Sequence, residues 1–171
     1  PDGYTLLFHN ITFPTPTAAM TLAGRPPHDI ERDFAPLSLG ANVPLIILAN
    51  PGVPVTDLKG FVDWARAQPN QPFYGSTGPG SFMNMVGEVL KRDANIRMEH
   101  VPFRGAAPLV QELIAGRVQF GGDQISTCLQ HVRAGALKGL ANVASRRAAV
   151  LPDVPTVREQ GFPSLELEGW N

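Results

Sequence analysis

Apolar and polar positions follow helical periodicity in two clear stretches of the middle of the chain. The first helix is predicted over residues 57–67, where apolar residues fall at i, i+3, i+4 and i+7 behind Thr56 as the N-cap. The second is predicted over residues 82–94, after a glycine-rich loop. The apolar positions that define the two faces are Leu58, Phe61, Val62 and Ala65, then Met85, Val86, Val89 and Leu90.

Short strands are predicted around these helices, at residues 73–74, 97–101, 118–121 and 137–143. A helix over residues 107–115 separates the second strand from the third. A further helical face, formed by Ile125, Cys128, Leu129 and Val132, separates the third from the fourth. Gly116 and Gly135 stand where these helices end. The order β-α-β-α-β-α-β with short connections favours parallel strands joined by right-handed crossovers.

The two ends of the chain follow a different pattern. Apolar runs at residues 4–8 and 43–49 are joined by about thirty Pro- and Thr-rich residues with little periodicity. A compact domain rarely contains so long an irregular loop, so we expect this segment to pack on something else. Leu165 and Leu167 begin the alternation of another strand just before the chain stops. We therefore expect the chain to be truncated at both ends.

Composition describes a globular chain and excludes several classes of protein. The 171 residues include 14 Lys and Arg against 15 Asp and Glu, and only 17% are charged, so no cationic face is expected for a nucleic acid. The longest apolar run, residues 44–49, is far shorter than the ~20 residues of a membrane span, and no basic-then-apolar leader opens the chain. The single cysteine cannot form an internal disulfide.

The loop at residues 75–81, Gly-Ser-Thr-Gly-Pro-Gly-Ser, is the most informative stretch for function. A strand that turns through such a loop into a helix is expected to leave backbone N–H groups unpaired where the helix dipole adds about half a positive charge. The loop therefore predicts an anion pocket. Its amide donors would be those of Gly78, Gly80 and Ser81, and its hydroxyl donors those of Ser76, Thr77 and Ser81. A plain Gly/Ser turn with an N-cap serine explains the local sequence equally well.

Nucleotide binding is disfavoured at this loop. No lysine follows the second glycine as in a Walker A motif, and Met83 stands where G-x-G-x-x-G would have its third glycine. Two other predicted strand ends also hold candidate residues. Arg104, followed by Gly105, could pair a carboxylate, although a solvated loop arginine is the commoner explanation. Asp123 lies where ligands collect in open α/β sheets, and it could equally be the N-cap of the following helix.

The sequence contains no evident catalytic constellation, and it predicts no cofactor. Cys128 and His131 lie at i and i+3, but two ligands do not make a zinc site, and Cys128 is expected in the core. Ser76 and Ser81 lack the G-x-S-x-G context, and the sequence places no histidine near either serine. An α/β hydrolytic enzyme that uses the Gly/Ser-rich loop remains the alternative hypothesis, and it needs a base near one of these serines.

Five blocks of sequence occur in an order that is specific to one family. They are PDGYTLL at 1–7, DFAPLSL at 33–39, the loop and helix at 74–88, VPFRGAAP at 101–108 and LPDVPTV at 151–157. Together they closely resemble the Bug (Bordetella uptake gene) family, the TctC-like periplasmic solute receptors of tripartite tricarboxylate transporters. The resemblance spans nearly the whole chain.

The resemblance implies a type II periplasmic-binding-protein fold, in which two α/β lobes joined by crossing strands close on a small carboxylate without catalysis. One lobe with a parallel-rich sheet would be nearly complete, over residues 50–164. Residues 1–49 would form an incomplete part of the other lobe and a crossover strand, and residues 165–171 would begin the return crossover. The family's first-lobe Gly-rich loop, which grips one ligand carboxylate, would lie upstream of residue 1.

The resemblance also implies a set of ligand-binding residues and partners. By position, the ligand-binding residues are Asn10, Thr12, Ser76, Thr77, Gly78, Gly80, Ser81, Arg104, Gly105 and Asp123. Arg104 and Gly105 replace the usual Lys-Gly, and Asn84 stands where the family commonly has His. The implied partners are a small organic acid (a mono-, di- or tricarboxylate or an amino acid) and the membrane subunits of the transporter. No nucleic acid is implied.

Overall fold

A five-stranded sheet organises the part of the chain that the computed structural model describes, which is residues 3–9, 13, 17, 20–25 and 28–169. The strands are β1 (Leu45–Ala49), β2 (Phe73–Ser76), β3 (Glu99–Pro102), β4 (Phe120–Gln124) and β5 (Lys138–Asn142). The helices are α1 (Ile30–Asp33), α2 (Leu58–Ala67), α3 (Phe82–Ala94), α4 (Ala106–Ile114) and α5 (Ile125–Arg133), followed by a 3-10 helix at Pro163–Leu165. No helix of the described residues combines the length and the hydropathy that crossing a bilayer would require.

The sheet is mixed and rich in parallel strands, in the order β3-β2-β4-β1-β5. Strand β2 runs parallel to β3 and β4, as the order of predicted elements indicated. Strand β1 lies between β4 and β5 and runs antiparallel to both, with Ile47 opposite Gly122. Since β4 and β5 are both antiparallel to β1, strands β2 to β5 all point the same way. Their carboxyl ends therefore share one edge of the sheet.

Helices α2 to α5 form where periodicity predicted them, with small changes at their ends, whereas α1 was not predicted. Helix α3 has the predicted bounds, Phe82–Ala94. The prediction of Thr56 as the cap of α2 is wrong, because the Asp57 carboxylate accepts the Gly60 N–H at 2.7 Å and so takes that position. Gly116 has the predicted left-handed conformation after α4, with φ of 76°, and Gly135, which ends α5 as predicted, has it too, with φ of 71°.

The core lies on both faces of β1, whose five residues are all buried. Successive side chains point to opposite faces of a strand, so Ile47 packs with the core of α2 and α3, and Ile46 packs with the core of α4 and α5. Phe61 and Phe120 stack with ring centroids 4.3 Å apart. Cys128 is buried in the α4 and α5 core, which confirms its predicted place, and burial raises the pKa of its free thiol to about 12.

The amino-terminal segment has no regular structure over residues 4–9, although its apolar run resembles a strand. Tyr4 and Phe8 expose 91% and 79% of their surface. Leu165 ends a 3-10 helix because its N–H bonds back to the Phe162 carbonyl. Leu167 N–H donates to the Val143 carbonyl at 2.9 Å, but residues 166–169 form no strand. That residues 1–49 belong to another lobe stays a prediction.

Candidate functional site

Three of the predicted site segments meet at the carboxyl edge of the sheet. Residues 77–81 follow β2, Arg104 and Gly105 follow β3, and Asp123 lies near the end of β4. Strand β2 lies between β3 and β4, so these segments are neighbours. The Phe103 N–H donates to the Ser76 carbonyl at 2.8 Å and joins the first two. Asn10 and Thr12 lie outside the described residues.

The amides of the β2 loop have acceptors within the protein. Gly78 N–H donates to Ser76 Oγ at 3.0 Å, Gly80 N–H to Asn84 Oδ1 at 2.9 Å, and Ser81 N–H to the Gly78 carbonyl at 3.1 Å. The prediction that these three amides are unpaired is therefore wrong. The amides are paired because the loop itself supplies two acceptors, Ser76 Oγ and the Gly78 carbonyl, and the Asn84 side chain in α3 supplies the third. A ligand oxygen at these amides would have to share or displace them.

Ser81 has the structural role that the alternative interpretation assigned to it. It is the N-cap of α3, and its hydroxyl accepts the Asn84 N–H at 3.4 Å. The serine is 2% exposed. Ser76 is fully buried as well, so neither hydroxyl lies open on the loop surface. Thr77, between them, is exposed.

Groups that attract anions remain at the same edge. The N–H groups of Phe82 and Met83 in the first turn of α3 have no acceptor among the described residues. Gly105 is the N-cap of α4, where it has no side chain to cap the helix and its φ of 110° favours glycine. Arg104 is exposed, and no carboxylate of the described residues pairs with it. These features give this edge positive potential.

Asp123 is held at the start of α5. It is 8% exposed, and its carboxylate accepts the Gln124 N–H at 2.8 Å and the Thr127 hydroxyl at 2.5 Å. Burial raises the pKa of this carboxyl above its ordinary value of 3.8, and the two hydrogen bonds oppose that rise. The interpretation of Asp123 as the N-cap of α5 is wrong, because Gln124 holds that position. Asp123 stabilises the start of the helix from one residue earlier, through its contacts with Gln124 N–H and the Thr127 hydroxyl.

The sequence did not reveal a cluster of hydrogen-bonded side chains beneath the β2 loop, formed by Tyr74, Ser76, Asn84, Glu88 and His100. His100 Nε2 lies 2.6 Å from Ser76 Oγ, a contact that the sequence did not indicate. The Tyr74 hydroxyl donates to Glu88 Oε1 at 2.5 Å and accepts from Asn84 Nδ2 at 2.9 Å. The Tyr74 and His100 rings stack at 4.9 Å because the two residues are partners across β2 and β3. The pairing of Tyr74 with His100 across β2 and β3 would have revealed this contact, but the spacing of residues in the sequence does not fix strand register.

Comparison with known proteins decides the family. The sequence pattern of the family described as "Tripartite tricarboxylate transporter family receptor" (TctC) matches residues 1–171. The chain belongs to this receptor family. Among curated proteins it is 28% identical to Protein BugT of Bordetella pertussis, over 99% of this chain and 52% of BugT. The receptor chain thus spans about half the length of the curated relatives it matches.

Solved structures agree with this assignment of the receptor. MatC of Rhodopseudomonas palustris, solved with bound malate, is 31% identical, with a TM-score of 0.80 over 90% of this chain and 52% of MatC. Rpa4515 of R. palustris, solved with adipate, is 30% identical, with a TM-score of 0.78 over 84% of this chain and 48% of that protein. The fold of the receptor is therefore the α/β fold of Bug-type periplasmic receptors.

The Ser76 and His100 pair is the contact that the hydrolase hypothesis required, but its surroundings in the receptor do not suit a nucleophile. Ser76 Oγ lies 3.0 Å from both the N and the O of Gly78, and the residue has no exposed surface. A substrate carbonyl would have to reach the hydroxyl through the loop itself. The contact therefore gives the hydrolase hypothesis no support.

The receptor variant Asp123→Asn tests the electrostatic cost of the buried carboxylate. Because folding raises the pKa of Asp123, its stability contribution is fully present below the unfolded value of 3.8 and is lost as the pH rises through the folded pKa. Asparagine avoids that loss and keeps an acceptor for Gln124 N–H. We expect the stability of the variant relative to the original protein to rise as the pH increases from about 3.8 through the folded pKa of Asp123.

Urea unfolding across this pH range measures the difference, with the exposed Asp153→Asn as the matched control. The control should show a much smaller change with pH. A relative loss of stability in Asp123→Asn as the pH rises would show that the carboxylate is stabilising in its charged form.

Proposed function

We propose that this chain is part of an extracytoplasmic, periplasmic solute-binding receptor. It captures a small organic carboxylate for the membrane subunits of a tripartite tricarboxylate transporter and catalyses no reaction. The family match over residues 1–171 is the observation that carries the proposal. The malate in MatC and the adipate in Rpa4515 support a carboxylate as the ligand class.

The carboxyl edge of the sheet would supply the recognition. Arg104 would form charge-assisted hydrogen bonds with one carboxylate of the ligand, next to the uncapped start of α4. The exposed Thr77 would add a hydroxyl donor. Gly78, Gly80 and Gly105 would allow the ligand to approach the backbone closely.

The remaining site residues have more indirect roles in this proposal. Ser76 and Ser81 shape the β2 loop, and Asp123 fixes the start of α5 beside it. A ligand oxygen that displaces Asn84 from the Gly80 N–H would gain that amide as well. Asn10 and Thr12 would contact the ligand from the other side, as the family resemblance implies.

Ligand capture would be coupled to closure of two lobes. Residues 50–164 would form one lobe, and residues 1–49 with 165–171 would contribute to the other lobe and to the crossing strands. A ligand held between lobes binds the closed form more tightly than the open form and shifts the population toward it. The membrane subunits would recognise that closed form.

Calorimetric titration of the full-length protein with mono-, di- and tricarboxylates and amino acids tests the ligand class. We expect saturable heat with at least one of these acids and none with the corresponding neutral amides, because recognition needs the negative charge. Chromatography of the recovered ligand should show it chemically unchanged. No heat with any acid, or turnover of the ligand, would refute the proposal.

The Ser81→Ala variant separates a receptor from a rival hydrolase that would use Ser81 as its nucleophile. Ser81 caps α3 in the structure, so a receptor should lose only modest affinity, about 2- to 10-fold. A hydrolase that used this serine as its nucleophile would lose essentially all turnover. Ligand titration and a turnover assay on the same preparation distinguish the two outcomes.

A further inference from the structure

The Ser76 hydroxyl makes three contacts, the full number that one donor proton and two acceptor lone pairs can satisfy. Its oxygen lies 3.0 Å from Gly78 N, 3.0 Å from Gly78 O and 2.6 Å from His100 Nε2. Gly78 N–H can only donate, and Gly78 O can only accept. The hydroxyl has one proton, so His100 decides where that proton points.

Only one arrangement of protons makes all three contacts hydrogen bonds. If His100 Nε2 carries a proton, it donates to Ser76 Oγ, and the hydroxyl proton is then directed to Gly78 O. If Nε2 is unprotonated, the hydroxyl proton goes to His100 and the contact with Gly78 O is lost. The geometry therefore favours the Nε2–H form of the ring.

His100 is held rigidly enough to impose this choice. Its ring stacks on Tyr74 at 4.9 Å, and Tyr74 is fully buried with its hydroxyl bonded to Asn84 and Glu88. Burial lowers the pKa of His100, against the opposing effect of the Glu88 carboxylate. The ring is thus fixed in place by β2, β3 and α3 together.

We propose that His100 is a positioning residue of the ligand-binding loop. It acts through Ser76, whose oriented hydroxyl clamps both the N–H and the carbonyl of Gly78 and fixes the peptide units on either side of it. Thr77 is exposed and Gly78 is partly exposed, so the clamped segment is the part of the loop that a ligand meets. This inference rests on the proposed function, since the clamp prepares the loop for a ligand before it binds.

Two substitutions of His100 separate positioning from packing. His100→Leu fills a similar volume without a donor, whereas the amide of His100→Gln can place an N–H near the position of Nε2. We expect His100→Leu to weaken carboxylate binding about 3- to 10-fold and His100→Gln to stay within about 2-fold of the original protein. Equal losses in both variants would overturn the proposal, because they would point to lost stacking.

A double-mutant cycle tests whether His100 acts through Ser76. In a Ser76→Ala background, His100→Leu should cause no further loss of affinity. A second loss of the same size would show that His100 acts by another route.

Two measurements need no ligand and keep the inference testable if no acid binds. Nitrogen chemical shifts of the His100 ring should show the Nε2–H tautomer, and amide hydrogen exchange at Gly78 should accelerate in His100→Leu but not in His100→Gln. The Nδ1–H tautomer, or unchanged exchange at Gly78 in His100→Leu, would overturn the inference. Absence of heat with every acid would instead refute only the proposed function.

Discussion

Replacing Arg104 by glutamate is expected to weaken binding of the preferred carboxylate by at least about 100-fold. The change removes a donor of charge-assisted hydrogen bonds and brings a negative charge to the edge where the ligand's own negative charge would lie. No carboxylate of the described residues pairs with Arg104, so no internal ion pair compensates for the change. Calorimetric titration of the variant and the original protein with the same acid measures the effect.

Arg97→Glu is the matched control for this prediction. Arg97 and Arg104 are both exposed and both flank β3, but Arg97 precedes the strand and Arg104 follows it. The two variants therefore change net charge equally at opposite edges of the sheet. The affinity of the control for the acid should stay within about 3-fold of that of the original protein, and long-range electrostatics should account for this small difference. Equal losses in both variants would show that net charge, and not a contact at Arg104, controls binding.

Local periodicity was enough to locate helices α2 to α5 and strands β2 to β5. Helix α3 keeps the predicted bounds because its apolar residues recur on one face and Ser81 caps it. The pairing of β1 could not be predicted in the same way. Its five apolar residues indicate a fully buried strand, but their neighbours in β4 and β5 lie about seventy and ninety residues further along the chain. Strand order and direction depend on such distant contacts.

The candidate site was predictable as a place but not as a set of hydrogen bonds. Glycines and hydroxyl residues between a strand and a helix marked the β2 loop, and the parallel order brought it next to Arg104. The acceptors for the loop amides depend on side-chain positions that no local pattern reveals. His100 reaches Ser76 only because β2 and β3 pair with Tyr74 opposite His100. The loop amides that we expected to be unpaired are therefore bonded within the protein, and the positive charge of Arg104 lies beside the loop.

This difference changes how the loop would select a ligand. A loop with unpaired amides would bind any anion that fits. A loop whose amides are already bonded favours only ligands whose oxygens form stronger hydrogen bonds than the acceptors they displace. Asn84 Oδ1 at the Gly80 N–H is a neutral acceptor, and a carboxylate oxygen forms a stronger, charge-assisted bond with the same donor. The loop is thus expected to discriminate against neutral ligands more strongly than its glycine content alone would indicate.

Gly75→Val is expected to destabilise the protein by about 3 kcal/mol. A Cβ at this position would overlap Leu109 Cδ1 and lie 3.1 Å from Phe103 Cε2. Leu109 is fully buried in the core beneath α4, so it has no room to move aside. Valine is a better strand former than glycine, and any loss must therefore come from packing. Urea unfolding of the variant measures the change in free energy.

The double variant with Leu109→Ala identifies the cause of that loss. Leu109→Ala alone is expected to cost about 2 to 5 kcal/mol through the cavity it leaves. In the double variant the valine methyl groups occupy part of that cavity, so the combined loss should fall short of the sum by at least about 1 kcal/mol. If the clash pushes Leu109, and with it α4, away from β2, Gly75→Val should also weaken ligand binding, because the N-cap of α4, Gly105, lies beside Arg104. Strictly additive losses of stability would mean that the clash with Leu109 does not limit the size of the side chain at position 75. They would also mean that β2 and α4 are not coupled through Leu109.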